Sequence, residues 1–147
     1  MGIEVSNEPL SSPWSTNYYR RFGPDYPPEG SGPLTRQVVR SAFELPFPAS
    51  VPAGPQVLTG RSWSGGGRIR HVEVSTDGAS WRRAIPHGPS ARDGWSRWSI
   101  PWRPSAGSYE VRARAVDEHG NTQPEVAEFN SFGYLFDAVV KHPVTVV

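Results

Sequence analysis

Hydrophobic and polar residues alternate along much of this chain with the two-residue period of a β-strand. The clearest case is the stretch SYEVRARAV, residues 108–116, in which Tyr109, Val111, Ala113 and Ala115 alternate with charged side chains. This alternation predicts a strand with one face buried in a core and the other face in water.

Turn residues divide most of the remaining chain into short runs of the same kind. Seven runs predict strands, at residues 37–45, 56–64, 68–77, 80–86, 97–102, 107–117 and 139–147. In the third run Ile69 has the opposite parity to Val72 and Val74, which predicts a β-bulge near Arg70 and His71. Short strands at this spacing are typical of a sandwich, so the predicted fold is an all-β antiparallel sandwich.

The first 36 residues show neither the strand period nor the helix period. The stretch GPDYPPEGSGP, residues 23–33, is rich in proline and glycine and is typical of a connector. The sequence therefore predicts an irregular N-terminal extension and connector over 1–36 and one sandwich domain over 37–147. The opening MGIEVSNEPLSS lacks the apolar run of a secretory signal peptide, and no residue pattern identifies a compartment.

Composition and charge restrict the classes of partner. The chain has 15 basic and 14 acidic residues, a net charge of +1, so no binding of nucleic acid or of an anionic membrane surface is expected. No apolar run has the length that spans a membrane. The chain has no cysteine, which rules out disulfides, thiolate metal ligands and cysteine nucleophiles.

Three consecutive glycines in WSGGGRI raise the possibility of a phosphate-binding loop. Such a loop requires a helix after the glycines, so that amide groups and the helix dipole converge on the anion. The residues that follow, RIRHVEVS, have a strand pattern instead. Gly65, Gly66 and Gly67 are therefore predicted to form a turn between two strands.

A second turn signal lies in STDGASW, where Asp77 and Gly78 separate two strand runs. Glycine accepts the positive φ of a tight hairpin turn, so this pair predicts a hairpin. The stretch is also similar to an Asp-box, but that motif repeats in propellers and occurs here once.

Tryptophans mark the candidate core. Trp63 and Trp81 flank the third run and are predicted to pack between the sheets, where truncation to alanine costs about 3–5 kcal/mol for a fully buried side chain. In GWSRWSIPW, the side chains of Trp98, Ile100 and Trp102 share one strand face. Such an aromatic face is either core or interface, or it binds sugar rings.

No catalytic or metal-binding set is predicted. The histidines at 71, 87, 119 and 142 lack ligand spacing on a common element. The stretch GRSWS lacks the last glycine of a nucleophile elbow, and the carboxylates are scattered. The prediction is that this chain holds no catalytic, cofactor-binding or metal-binding residues.

Four separate stretches together resemble the C-terminal dimerisation domain of sulfite-oxidase-family molybdenum enzymes. They occur in order as GRSWSGGGRIRHVEVSTDGASW, GWSRWSIPW, RARAVDEHGNTQP and FNSFGYLFDAVVKHPVTVV. The resemblance covers about residues 37–147 and implies an immunoglobulin-like sandwich of the E-set type. The earlier stretch PLSSPWSTNYYRRF looks like the end of the family's catalytic domain and the connector leaving it.

The resemblance implies a non-catalytic, structural role. In this family the catalytic domain binds molybdopterin and supplies a cysteine thiolate to molybdenum, so the cofactor belongs to the parent enzyme and not to this chain. The implied partners are a second copy of the chain and the catalytic molybdopterin domain of the same parent chain. The resemblance also implies that Asp117, Asn121 and Gln123 fix the loop before the last strands, as turn residues do.

One motif departs from the sulfite oxidases proper. Those enzymes have an arginine that contacts the anionic substrate within the pattern WN-x-R-G, and the matching stretch here is FNSFG, with Phe132 at the arginine position. Sulfite is therefore questionable as the parent's substrate. Arg40, Arg61 and Arg68 are available for another anion, but no motif assigns them.

Self-association is predicted to involve the aromatic C-terminal stretch. It contains Phe129, Phe132, Tyr134, Leu135 and Phe136. The alternative is that these side chains cap the core of their own sandwich. Two rival functions stay open on the residues alone: a stand-alone module that binds carbohydrate or a protein partner, and a hydrolase of unknown type.

Overall fold

The computed structural model describes residues 5–92 and 94–147. The first four residues of the predicted connector and Asp93 lie outside the described part. In the described ranges the chain forms nine strands and a single π-helical turn, Trp14–Tyr18. The strands are β1 Arg40–Phe43, β2 Ala49–Val51, β3 Gln56–Trp63, β4 Ile69–Ser75, β5 Arg82–Arg83, β6 Ile85–His87, β7 Ser96–Trp102, β8 Gly107–Asp117 and β9 His142–Val146.

The chain divides into two compact units. The larger unit comprises Gln37–Ala127 and Asp137–Val147 and contains all nine strands. The smaller unit comprises the N-terminal segment up to Arg36 together with Glu128–Phe136. The sequence placed Glu128–Phe136 in the sandwich domain, whereas in the structure it groups with the N-terminal segment. The assignment of 1–36 and 37–147 as domains stays a prediction.

The larger unit is a sandwich of two sheets. One sheet has the order β1-β3-β7-β6, and the other has the order β2-β9-β8-β4-β5. All pairs are antiparallel except β2 with β9. The first order matches the A-B-E-D sheet of an immunoglobulin sandwich, and β4, β8 and β9 match its C-F-G sheet. The predicted fold class is therefore confirmed.

Strand β8 shows why the alternating pattern specifies this fold. Val111, Ala113 and Ala115 are buried and belong to the core, while Arg112 and Arg114 lie on the outer face. The predicted bulge is also confirmed, because the register between β4 and β8 shifts between Ile69 and His71. The shift lets Ile69 join the core despite its parity.

The predicted strand over 80–86 is wrong as one element. It is two short strands in different sheets, because β5 pairs with β4 and β6 pairs with β7. The chain changes sheets at Ala84, whose N–H donates to the carbonyl of Val72 at 2.9 Å. Strand β2 was missed, since Pro46, Pro48 and Pro52 surround its three residues and suppress a strand prediction.

The core forms where the inner faces of the two sheets meet. Leu58 from β3 and Trp98 and Ile100 from β7 pack in one cluster with Val72 and Val74 from β4. Trp98, Ile100 and Trp102 were predicted to share one strand face, and all three belong to this core, which decides for the core among the alternatives for that face.

The smaller unit has no strands in its described part. Its helical turn carries two ring contacts, from Trp14 to Tyr18 at 5.1 Å and from Trp14 to Tyr19 at 6.1 Å between centroids. Arg20 donates to the carbonyls of Thr16 and Ser31, both at 2.7 Å. Side-chain to backbone bonds of this kind therefore hold a segment that lacks regular structure.

Candidate functional site

The loop Glu128–Phe136, called the aromatic loop below, carries the residues that were predicted to form a dimer interface. Phe129 and Phe132 are 63% and 62% exposed, and Phe136 is also exposed. Tyr134 is half-buried. A nine-residue loop that presents three phenylalanines to solvent is a candidate for burial by a partner.

Asn130 fixes the shape of the aromatic loop. Its buried side chain accepts a hydrogen bond from the N–H of Tyr134 at 2.8 Å and donates to the carbonyl of Tyr134 at 2.9 Å. Gly133 and the half-buried Leu135 have positive φ angles of 66° and 53°. Two positive φ angles within three positions turn the chain tightly here.

Aromatic pairs join this loop to the N-terminal segment of the same unit. Phe132 meets Phe22 edge-on with the ring centroids 5.6 Å apart, and Tyr134 lies 5.5 Å from Tyr19. The N–H of Ser131 donates to the carbonyl of Phe22 at 2.7 Å. None of the five predicted residues belongs to the hydrophobic core cluster of the sandwich.

Glu128 anchors the start of the aromatic loop. Its carboxylate accepts from the Arg21 guanidinium at 2.7 Å and from the Tyr26 hydroxyl at 2.6 Å. The hydrogen bond to Glu128 raises the pKa of Tyr26 above its usual value. These polar contacts and the ring pairs fix the loop's position before any partner binds.

The three glycines form a connection between the two sheets, as predicted. They lie between β3 and β4. A Cβ at Gly65 would lie 2.7 Å from the backbone nitrogen and oxygen of Gln37, so only glycine permits this approach. Gly66 donates its N–H to the Ser64 hydroxyl at 3.0 Å, and a Cβ at Gly67 would press on Glu118 at 2.7 Å.

Asp117 ties this connection to the loop after β8. Its carboxylate accepts four hydrogen bonds: from the N–H groups of His119 and Asn121, from the Asn121 amide, and from the Ser64 hydroxyl. Gln123, also buried, donates its amide to the carbonyl of Ala138 at 3.1 Å. The geometry supports the loop-fixing role that the resemblance implied for Asp117, Asn121 and Gln123.

The hairpin predicted at Asp77 and Gly78 joins β4 to β5. Gly78 has a φ of 76°, and the Asp77 carboxylate accepts from the N–H groups of Ala79 and Ser80 at 2.9 and 2.7 Å. These bonds, led by the one from Ala79, hold the pKa of Asp77 far below its usual value. The hairpin prediction is confirmed.

The predicted burial of Trp63 and Trp81 between the sheets is wrong. Trp63 lies half-buried on the outer face of the four-stranded sheet, with its ring centroid 6.2 Å from that of Trp95. Its parity on β3 is opposite to that of Leu58 and the other inward residues. Trp81 is half-buried, with the Arg114 guanidinium 4.2 Å from its ring centroid.

Truncating either outer tryptophan is therefore expected to destabilise the protein only moderately. Trp63→Ala and Trp81→Ala should each lower the free energy of unfolding by about 1–2 kcal/mol, through lost cation–π contacts and partial burial. Urea denaturation followed by circular dichroism measures this. A loss of about 4 kcal/mol for either variant would show that the side chain belongs to the core after all.

The outer face of the four-stranded sheet is a second exposed surface. It presents the apolar side chains of Val57 and Ile85 beside Arg61 and Arg97. The Arg61 guanidinium lies 4.9 Å from the ring centroid of Trp95. This surface, called the outer sheet face below, combines apolar area with positive charge.

Two of the four histidines have close hydrogen-bond partners, and among the described residues the histidines do not converge on a metal-binding group. His87 Nε2 lies 2.7 Å from the Ser99 hydroxyl, and His142 Nε2–H donates to the carbonyl of Pro46 at 2.8 Å. Among the residues described, no three His, Asp or Glu side chains come close enough to hold a metal ion. The described helical turn is also too short to cross a membrane, and no other helix of the described residues could do so.

Comparison with known proteins identifies the family of this sandwich. The family model of the Mo-co oxidoreductase dimerisation domain matches residues 44–146. The chain belongs to this family. The match covers all the strands from β2 to β9, so the dimerisation domain is the sandwich described above.

Sulfite oxidases and nitrate reductases are among the relatives of this dimerisation domain. Sulfite oxidase of Gallus gallus is 35% identical over 136 residues, covering 84% of this chain and 30% of the relative. The mitochondrial sulfite oxidase of Drosophila melanogaster is 32% identical over 99% of this chain and 29% of the relative. An NADH nitrate reductase of Lotus japonicus is 35% identical over 62% of this chain and 11% of its own.

A solved structure has the same fold. The sulfane dehydrogenase SoxCD from Paracoccus pantotrophus superposes with a TM-score of 0.76 and 26% sequence identity, over 92% of this chain and 39% of its own. The chain spans about 30% of the length of the sulfite oxidases it matches.

The residues of this dimerisation domain do not fit a molybdenum centre. The chain has no cysteine to supply a thiolate ligand. No cluster of other ligands replaces it in the described part.

Proposed function

We propose that this chain is the dimerisation domain of a longer molybdenum oxidoreductase related to sulfite oxidases, and that it joins two copies of that enzyme. The observation that carries this proposal is the family match over residues 44–146. The share of the relatives that the chain covers, about 30%, supports a catalytic portion elsewhere in the longer protein.

We propose the aromatic loop as the centre of the two-fold interface. Each fully buried phenylalanine contributes about 150–250 Å² of apolar surface, and a stable dimer buries at least about 1,000 Å² in total. Phe129, Phe132 and Phe136, counted on both copies, supply a large part of that area. A two-fold axis through the loop would place aromatic surface against aromatic surface, which is self-complementary.

The outer sheet face competes for the same role but suits it less well. A two-fold axis through this face brings the positive side chains of Arg61 and Arg97 close to their own copies. Like charges at short distance oppose association. Arg61 is paired with Glu44, which weakens the repulsion without removing it, since no carboxylate pairs with Arg97 in the described chain.

A charge introduced into the aromatic loop is expected to weaken self-association. The 147-residue chain is expected to form dimers at tens of micromolar, and Phe132→Asp should weaken the dimer at least about 30-fold, as loss of an interface hot spot does. Sedimentation velocity over a concentration series measures the dissociation constant. The matched control is Ile85→Asp, which adds the same charge to the outer sheet face and should leave the dimer unchanged.

The reverse result would reject this interface. If Ile85→Asp abolishes dimers while Phe132→Asp does not, the outer sheet face is the interface. If the chain is strictly monomeric at tens of micromolar, the proposal that these 147 residues dimerise by themselves is rejected.

The molybdopterin cofactor and the catalysis of the longer enzyme are part of the same proposal. Relatives named as sulfite oxidases and nitrate reductases, and a family named for Mo-co, support a molybdopterin-binding catalytic domain in the same parent chain. The stretch FNSFG has Phe132 at the position of the arginine in the sulfite oxidase motif. We therefore propose that this loop does not provide an arginine to an anionic substrate.

A further inference from the structure

The sandwich contains a cavity of about 200 Å³ beside the point where the chain changes sheets. On one side lie residues Ile69 to Val72 of β4, and on the other lie Ser96 and Trp98 of β7. The cavity opens here because β5 covers only the far end of β4, pairing at Glu73 and Val74. This part of the β4 edge therefore has no neighbouring strand.

The lining of the cavity carries positive charge and no negative charge. Arg70, Arg83 and Arg97 line it, all exposed, and none of them forms an ion pair within 4.0 Å among the described residues. No carboxylate of the described chain lines the cavity. Burial, followed by the charge of Arg83, lowers the pKa of the neighbouring His71.

Two further polar groups are available in the cavity. The Ser90 hydroxyl accepts from the N–H of Ile69 at 2.8 Å and from the Ser96 hydroxyl at 2.7 Å, so its own proton remains free to donate. His71 Nδ1 is buried and has no hydrogen-bond partner, while Nε2 lies 3.8 Å from Glu73. A ligand that accepts hydrogen bonds would satisfy these groups.

The floor of the cavity is apolar. Ile69, Val72 and Trp98 line it and are all buried members of the core. Since a water molecule occupies about 30 Å³ in the liquid, the cavity has room for a six-membered ring and one small charged group. Donors and cations lie around an apolar floor, which is the arrangement of small-molecule sites.

We propose that this cavity binds a small organic anion, with a carboxylate held by Arg70, Arg83 and the Ser90 hydroxyl and an apolar body resting on Trp98. None of these residues belongs to the aromatic loop, and the proposal is independent of the proposed function. Arginine suits the role because its guanidinium holds a carboxylate through two parallel hydrogen bonds.

The test uses benzoate as the probe and benzamide as its neutral counterpart of nearly equal shape. Titration of the ¹⁵N-labelled 147-residue chain should give saturable shifts in the amide signals of residues 69–72 and 96–98. The expected dissociation constant for benzoate is on the order of 1 mM, and benzamide should bind at least about tenfold more weakly.

Variants separate the cavity from general attraction of anions to a basic surface. Arg70→Gln and Arg83→Gln should each weaken benzoate binding about tenfold, the loss expected for one charge-assisted contact. Arg103→Gln removes an exposed arginine outside the cavity and should leave binding unchanged. Equal affinities of the three variants, equal binding of benzamide, or shifts confined to other residues would overturn the proposal.

Discussion

Trp98→Ala is expected to lower the free energy of unfolding by about 3–5 kcal/mol, the range for removing a large buried aromatic side chain. Trp98 is only 2% exposed and packs edge-on against Phe43 with the centroids 5.3 Å apart. A Cβ at Gly60 would collide with its ring, so the indole fills the space above this glycine. The surrounding backbone cannot easily collapse into the cavity that alanine leaves.

The indole N–H of Trp98 adds a polar constraint to the core. It donates to the Ser62 hydroxyl at 2.9 Å, and Ser62 donates to Ser41 at 2.9 Å, which links strands β1, β3 and β7 inside the sandwich. Trp98→Phe retains most of the apolar volume and should cost about 1–2 kcal/mol for the lost bond.

Urea denaturation of these variants provides the measurement, with Trp63→Ala as the matched control on the outer face. If Trp98→Ala and Trp63→Ala destabilise the protein equally, the assignment of inner and outer faces is wrong. Should Trp98→Ala fail to fold, Trp98→Phe still tests the bonded indole, because a loss of unfolding free energy below about 0.5 kcal/mol would show that the hydrogen bond to Ser62 does not stabilise the core.

The sandwich could be predicted from the sequence because the alternation of apolar and polar residues along a strand shows which side chains face the core. Strand β8 shows this most clearly, since its inward positions hold Val111, Ala113 and Ala115 and its outward positions hold Arg112 and Arg114. A residue at a sheet switch gives no such signal. Ala84 sits between two runs of only two and three residues, and its partner Val72 is chosen by tertiary pairing.

The predicted burial of Trp63 was wrong because its position on β3 has outward parity despite the large side chain. Large aromatic residues usually go to the core, but on β3 the inward positions are Leu58, Gly60 and Ser62. Small residues were needed there because Trp98 comes from the opposite strand. Counting parity from Leu58 would have placed Trp63 outside.

The partners of the aromatic loop and the lining of the cavity could not be predicted from local sequence, for a different reason. The loop's partners, Tyr19 and Phe22, are more than 100 residues away in the chain. The cavity is lined by residues from β4, β7 and the segment that contains Arg83 and Ser90. Neither grouping follows from a period or a motif, because both depend on how distant segments pack.

Asp117→Ala is expected to cost about 3 kcal/mol, because hydrogen bonds to a charged group contribute about 1.5–3 kcal/mol each and do not add fully. Asp117 is 1% exposed, and all four of its hydrogen bonds lie between 2.9 and 3.1 Å. Removing the carboxylate leaves the N–H groups of His119 and Asn121 and the Ser64 hydroxyl without their acceptor. The connection through Ser64 and Gly66 then loses its tie to β8.

This stabilisation is expected to depend on pH. Burial raises the pKa of Asp117, but the hydrogen bonds, led by those from Asn121, outweigh it and hold the pKa below the usual value of about 3.9. A carboxyl whose pKa is lower in the folded state stabilises the protein above the unfolded-state pKa. That contribution is lost as the pH falls below about 4 and through the folded-state value.

The difference in unfolding free energy between the natural chain and Asp117→Ala should therefore be smaller at pH 3 than at pH 6.

Asp117→Asn keeps the shape but presents an amide N–H₂ where one oxygen accepted, so it should also be destabilising at pH 6. Asp25→Ala, at an exposed aspartate, is the control and should change stability by less than about 0.5 kcal/mol. A difference that stays constant from pH 6 to pH 3 would mean that the charge of Asp117 does not stabilise the fold and that only its shape and neutral hydrogen bonds do.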